Sequence, residues 1–502
     1  MIKKRVYTLI CLGLLAIAAN NTSATILLVG EGKAFVRIEA AYEAAKPGDT
    51  ILIRPLPNGR AYEGVAISVS KPNITFLGSE GDTVPPSALE PSSRPILSGK
   101  SLNYTGVGRM PRAVLQFNAS AKGCRVENLE IFGAHNDSHN GAAIRINEAN
   151  DTTIQLCDLH HNDMGIMSNG SVERATGANQ VILRCHIHHN GDPADPGFNH
   201  NLYMGGTSVI VADCEIDHAT MGHNFKSRAH YNWLGRCYIH DSANREVDLV
   251  DEKGNTTAAN SHTVIVACII AKAMEQVGNH TVIHWGQDGG NDHDGTLHLC
   301  HNTIITPYQS PVVDMNAPSA KLDMMYNLIT DGGRFQNGQV LVQVSGGAKM
   351  ESISGFANVG ARGFTDKMQC NLTQTNLIPD GKAVRFTKPE LGDYSISIRP
   401  IPLWLKVPHR ALPAHLPMPF PLPQKIMNVF YDPTKKYDAV APQPLDIHEG
   451  NYTDLIGAKG VFFIDWTPPS SPSGKRRGGT SPTYLPIARR FLRQRSTHSR
   501  GE

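Results

Sequence analysis

Beyond residue 24, no stretch of this 502-residue chain reaches about 18 consecutive apolar residues, so the sequence offers no second segment long enough to anchor in a membrane. Charge is scarce: Asp, Glu, Lys and Arg make up 18 % of the residues. The formal net charge is +2, but setting aside the +3 of the first residues and the +7 of segment 474–502 leaves −8 on the body, which argues against nucleic-acid binding. The nine cysteines show no paired framework of a small disulfide-built domain. Helical periodicity is missing from the centre of the chain, which excludes a helical bundle.

What is present starts with a leader. Lys3, Lys4 and Arg5 precede an uncharged apolar run from Val6 to Ala19 and then Thr22-Ser23-Ala24. This pattern predicts a signal peptide over 1–24 and a secreted or periplasmic, monomeric product. The 46 glycines and 32 prolines point to a turn-rich globular body. Pro400–Pro423 is proline-dense, so 401–465 reads as a strap with a closing segment, and 466–502 as a disordered basic tail.

Between Val114 and about Thr330 the chain repeats. Units such as Ile154–Ile166, Val181–Asp192, Val209–Gly222 and Trp233–Asn244 each join an alternating apolar strand to a polar turn. Cys157, Cys185, Cys214, Cys237 and Cys268 recur at one place in the unit, which predicts a buried stack, with free thiols favoured over the disulfides that a strand spacing of about 4.8 Å would also permit. Strand-sized units with periods in the 20–50 range define a solenoid. His160, His161, His188, His189, His218 and His240 recur after the strands. A zinc site combining them with Cys185 is disfavoured, because Cys185 and His186 point to opposite faces, so a ladder of turn residues is the expectation.

The helix predicted over Val36–Ala45, followed by Pro47-Gly48-Asp49 and the strand Thr50–Ile53, resembles the N-terminal cap and first coil of right-handed parallel β-helix proteins of the pectate-lyase-like kind. The resemblance implies an all-β right-handed parallel β-helix over 25–400 with a capping helix.

Strand alternation then sorts the central coils. Leu202, Met204, Phe225, Ser227, Val247 and Leu249 face in, which places Tyr203, Lys226 and Asp248 in one outward column, with Asn201, Asn224 and Glu246 beside it. Arg145 lies upstream and His284 and Trp285 downstream. A groove walled by the loops Gly191–Asn199 and Gly286–Asp294 suits an extended polymer. Lys226-Ser227, Asn232 and Arg245 resemble the catalytic region of β-helix polysaccharide lyases of the chondroitinase B and alginate lyase type.

That resemblance implies β-elimination on a uronate-containing acidic polysaccharide. Lys226 would be the base, Arg245 or Tyr203 the acid, and His223, Asn224 and Arg228 would bind the carboxylate, with Asn201, Arg145, His284 and Trp285 as further substrate contacts. It also implies calcium. However, those lyases carry acidic ligands just before the lysine, where this chain has Met221-Gly222-His223-Asn224, so Glu246 and Asp248 are the remaining candidates to hold Ca2+. Placing Lys226 beside Arg228 leads to the expectation of a lowered lysine pKa. A glycoside hydrolase using Glu246, Asp248 and Asp251, a C5-epimerase, and a noncatalytic carbohydrate-binding protein are the other readings.

Overall fold

The computed structural model describes residues 24–83, 94–276, 278–334 and 336–367, with short segments between 371 and 396. The leader up to residue 23, the strap and the basic tail lie outside them. Each coil visits three sheets in turn, as in Ala142–Asn147, Thr153–Gln155 and Asp158–His160, followed by Met164–Asn169, Gln180–Leu183 and His186–His188. Stacked in parallel, these strands build sheets of ten, thirteen and twelve strands among the described residues. The fold is a right-handed parallel β-helix. The one α-helix among the described residues, Ile38–Ala44, packs Ile38 and Ala41 onto the first two strands of the thirteen-stranded sheet. Stacking continues past Thr330, where sequence repetition fades, through Val342–Val344, Ile353–Phe356 and Val359–Gly360.

Because paired residues sit in register, every position in the coil becomes a column. Leu159, Ile187, Ile216, Ile239, Ile270, Ile304 and Ile329 form one interior column, each large aliphatic side chain contributing roughly 1.5–3 kcal/mol over exposure. The bend between the thirteen- and twelve-stranded sheets uses one left-handed residue per coil, among them Leu156, Arg184, Asp213 and Arg236, with φ between 49° and 56°. Their N–H groups donate to the next coil, as Leu156 does to the Leu183 carbonyl at 3.1 Å, which offsets the strain of a non-glycine residue there. The residue after this bend points inward. Cys157, Cys185, Cys214, Cys237 and Cys268 occupy that column as buried free thiols, and Asn302, Asn327 and Asn358 continue it.

A second interior ladder runs beneath the bend that leads to the ten-stranded sheet. Asn162 donates to Asn190 at 3.0 Å, Asn190 to Asn201 at 2.9 Å, Asn201 to Asn224 at 2.7 Å, and Asn224 to the Glu246 carboxylate at 2.6 Å. Glu246 ends the chain against Lys272 at 3.4 Å, both side chains being fully buried. Burial pushes the Glu246 carboxyl above its ordinary range, with Lys272 and Asn224 pulling against that. The chain of amides is polarised toward the carboxylate, so each link strengthens the next. Lys272→Met leaves the carboxylate uncompensated and is expected to cost about 3–5 kcal/mol in urea unfolding, whereas Lys272→Met with Glu246→Gln recovers most of that loss.

Candidate active site

The ten-stranded sheet carries the outward column Gln116, Arg145, Met167, Tyr203, Lys226, Asp248, His284 and Asp314. At its centre the Asp248 carboxylate is buried among four basic side chains: His223 Nε2 at 3.2 Å, Lys226 Nζ at 3.0 Å, Arg245 Nη1 at 2.9 Å and His284 Nδ1 at 2.9 Å. Burial would raise the Asp248 pKa, but His223, His284 and Lys226 outweigh it and hold the group well below the usual carboxylate range. His223 Nδ1 accepts from the Arg245 backbone N–H at 3.1 Å, which leaves its proton on Nε2, facing Asp248. The His223 backbone N–H donates to His200 Nδ1 at 3.1 Å, and the two rings stack at 5.0 Å.

Lys226 is 8 % exposed. Its ammonium bridges Asp248 and, at 2.9 Å, Asp288 of the loop 286–294. Asp288 also meets Arg228 Nη2 at 2.7 Å, and Arg228 Nε donates to the Tyr203 hydroxyl at 2.8 Å. The loop is pinned by Asp251, which accepts from the Gly289 and Asn291 backbone N–H groups at 2.6 and 2.7 Å, from that of Asp288, and from the Asn291 side chain at 2.9 Å. Burial opposes ionisation of Asp251, yet these donors bring its pKa down to about 2. Upstream, Arg145 and Arg112 line a cleft of about 760 Å³ with Arg37 and Arg109, where four arginines face two glutamates, Glu39 and Glu43.

The three predicted catalytic residues, Tyr203, Lys226 and Arg245, come together here, and Arg228 joins them. Several other expectations are corrected. Asn201 and Asn224 are fully buried in the interior ladder, not outward beside the column, because they precede the first strand residues Leu202 and Phe225, where alternation begins. Trp285 pairs with Leu249 and faces the core against His293, at 3.9 Å between ring centroids. His223 and His284 are buried and spent on Asp248, so they position the carboxylate instead of contacting a substrate.

Calcium on Glu246 and Asp248 does not fit, since Glu246 is paired with Lys272 and Asp248 is already enclosed by basic groups. The expected lowering of Lys226 fails as well: burial pushes it down, but Asp248 and Asp288 outweigh burial and raise it above the ordinary lysine value. Asp288, which sequence reasoning missed, reaches Lys226 across 62 residues, a contact that no local pattern encodes.

No family model matches the chain, and no curated protein does. Among solved structures it is similar to a rhamnogalacturonan lyase at 13 % identity, over 67 % of this chain and 87 % of that one, with a TM-score of 0.44. It is similar to a pectate lyase at 14 % identity, covering 72 % and 79 %, with a TM-score of 0.37. A PL6 family alginate lyase gives 12 % identity, 74 % and 55 % coverage, and a TM-score of 0.37. At these levels the likeness concerns the fold and says nothing of the site.

Burial depresses His223 from 6.5 to about 4. Between those values the unfolded chain binds the proton and the folded site refuses it, so stability falls as pH drops from about 6.5 toward 4. His223→Gln removes this contribution, and the slope of unfolding free energy against pH in that window is expected to become shallower.

Proposed function

We propose that this protein binds an acidic polysaccharide along the outward column of the ten-stranded sheet and cleaves it by β-elimination next to a uronate. The observation that supports this reading is the seat of Asp288, where a carboxylate already lies between Lys226 and Arg228. A uronate carboxylate replacing Asp288 there meets the same two cations. That neutralisation acidifies the α-proton at C5, the step on which elimination depends.

Lys226, held as an ammonium by Asp248, serves as a carboxylate ligand in this mechanism, and Arg228 is the second. Tyr203, half-buried next to Arg228, is the proton-transfer group. Acting as the base, its oxygen takes the C5 proton while the Arg228 guanidinium donates to it. The electron pair of that C–H bond forms the C4–C5 double bond, the C4–O bond breaks, and the proton passes to the departing oxygen. Arg245, fixed on Asp248, holds the carboxylate core of the site in place. The arginine-lined cleft at Arg145 extends the binding face by three strand spacings, about 14 Å upstream of Lys226.

Hydrolysis by Glu246, Asp248 and Asp251 is disfavoured by geometry, because all three are fully buried and already engaged.

The reaction is followed with a panel of uronate polymers, through the absorbance of the unsaturated product. Tyr203→Phe is expected to lower kcat by on the order of 10²–10⁴ while leaving binding intact. Lys226→Arg, which keeps the cation, retains most activity, and Lys226→Ala lowers kcat as well as raising KM. Full activity in Tyr203→Phe sinks the proton-transfer assignment, and new reducing ends without a double bond would show hydrolysis instead. Asp288→Asn removes the resident competitor from the seat, and calorimetry is expected to show tighter uronate binding by about tenfold.

A further inference from the structure

The twelve-stranded sheet carries a second constellation, far from any role in the reaction above. On four successive coils, three outward positions fall into register. The first column reads Asp158, His186, Glu215, Tyr238. The second reads His160, His188, Asp217, His240. The third, at the left-handed residue that turns the chain off the sheet, reads His161, His189, His218, Asp241, with φ between 49° and 55°. Seven of twelve positions are histidine and four are carboxylates, against 22 histidines in the whole chain, and none of the twelve is Lys or Arg. A merely solvated face would mix both signs of charge. This one offers only imidazole nitrogens, carboxylate oxygens and a phenol.

The interior thiols take no part. Cys185 faces the core and His186 the outside, as the alternation of the strand requires.

The donors are close enough to share an ion. His186 Nε2 lies 2.6 Å from Asp217 Oδ1, and His188 Nε2 lies 3.0 Å from Asp158 Oδ1. His218 bonds the other Asp217 oxygen, and His240 Nδ1 is 2.8 Å from Asp241. Four triads have their donor atoms within 4.8 Å of one another: Asp158 with His186 and His188; His186 with Glu215 and Asp217; His189 with Asp217 and His218; and His218 with His240 and Asp241. Bonds of about 2.0–2.2 Å to a tetrahedral ion place its ligand atoms roughly 3.3 Å apart, a separation these side chains reach by small rotations. Mixed imidazole and carboxylate donors suit zinc and its neighbours nickel and copper, while calcium and magnesium demand shells of oxygen.

We propose that this face binds divalent ions of the zinc class, two per chain, each ion tying adjacent coils together. The number follows from how the triads share members. Every triad contains His186 or His218, and no more than two triads are disjoint. Each triad also draws ligands from two neighbouring coils, so a bound ion is a cross-coil staple.

The test uses untagged full-length protein titrated with zinc chloride against a chromophoric competing chelator, with metal content measured after gel filtration. Wild type is expected to hold two ions, His186→Gln and His218→Gln one each, and His186→Gln/His218→Gln none. His188→Gln/His240→Gln should hold one, because the two triads it spares share Asp217. His280→Gln, outside the grid, should keep two. Zinc should raise the melting temperature of wild type and leave that of His186→Gln/His218→Gln unchanged. Should that double variant fail to fold, the stoichiometry of His188→Gln/His240→Gln decides. Wild type that holds no zinc through gel filtration overturns the proposal, as does either double variant that still holds two ions. No substrate enters the test, so its outcome is independent of the lyase reading.

Discussion

Register between coils is the constraint on which everything else in this protein rests. Backbone hydrogen bonds fix neighbouring strands about 4.8 Å apart, so a side chain always meets the residue in the same place on the coils above and below. Apolar columns accept this easily, and the isoleucine column of the twelve-stranded sheet shows it. Charged positions cannot repeat one sign without cost. The outward column of the ten-stranded sheet therefore passes from Tyr203 to Lys226 to Asp248 to His284 to Asp314, with donors and acceptors alternating. Asp248 is the extreme case, a fully buried carboxylate tolerable only because four basic groups surround it.

The same rule shapes the interior polar ladders. An asparagine amide both donates and accepts, so it can stack on copies of itself indefinitely, as Asn162, Asn190, Asn201 and Asn224 do. A glutamate only accepts. When Glu246 takes the next place the ladder must stop, and Lys272 supplies the opposite charge at that point.

How much of this was legible in the sequence depends on whether alternation applied. Within strands it did: Lys226 and Asp248 fall on one face because Phe225, Ser227, Val247 and Leu249 take the other, and the two sit opposite each other on adjacent strands. The cysteine column was readable for the same reason. One position before the strand, alternation has not yet begun, and Asn201, Asn224 and Glu246 turn inward beneath the bend. Trp285 follows the rule once His284 is set outward, so its burial was readable from the same parity. Asp288 was out of reach for a different reason: its place over Lys226 and Arg228 is set by Asp251 pinning a loop, a tertiary contact with no sequence period. The charge state of Lys226 depended on that missing carboxylate, and the sequence reading therefore took the wrong sign.

Coil length varies freely while the columns hold. Successive positions are separated by 23 residues from Asn201 to Asn224, by 22 from Asn224 to Glu246, and by 36 from Asp248 to His284. The extra residues go into the bends, and the strand beyond each one resumes the same phase. A residue gained or lost in loop 191–199 or 286–294 therefore leaves every column intact, whereas one gained inside a strand would exchange its core and outward faces. Over evolutionary time the loops beside the ten-stranded sheet can be redrawn by insertion and deletion while its outward face changes only by substitution.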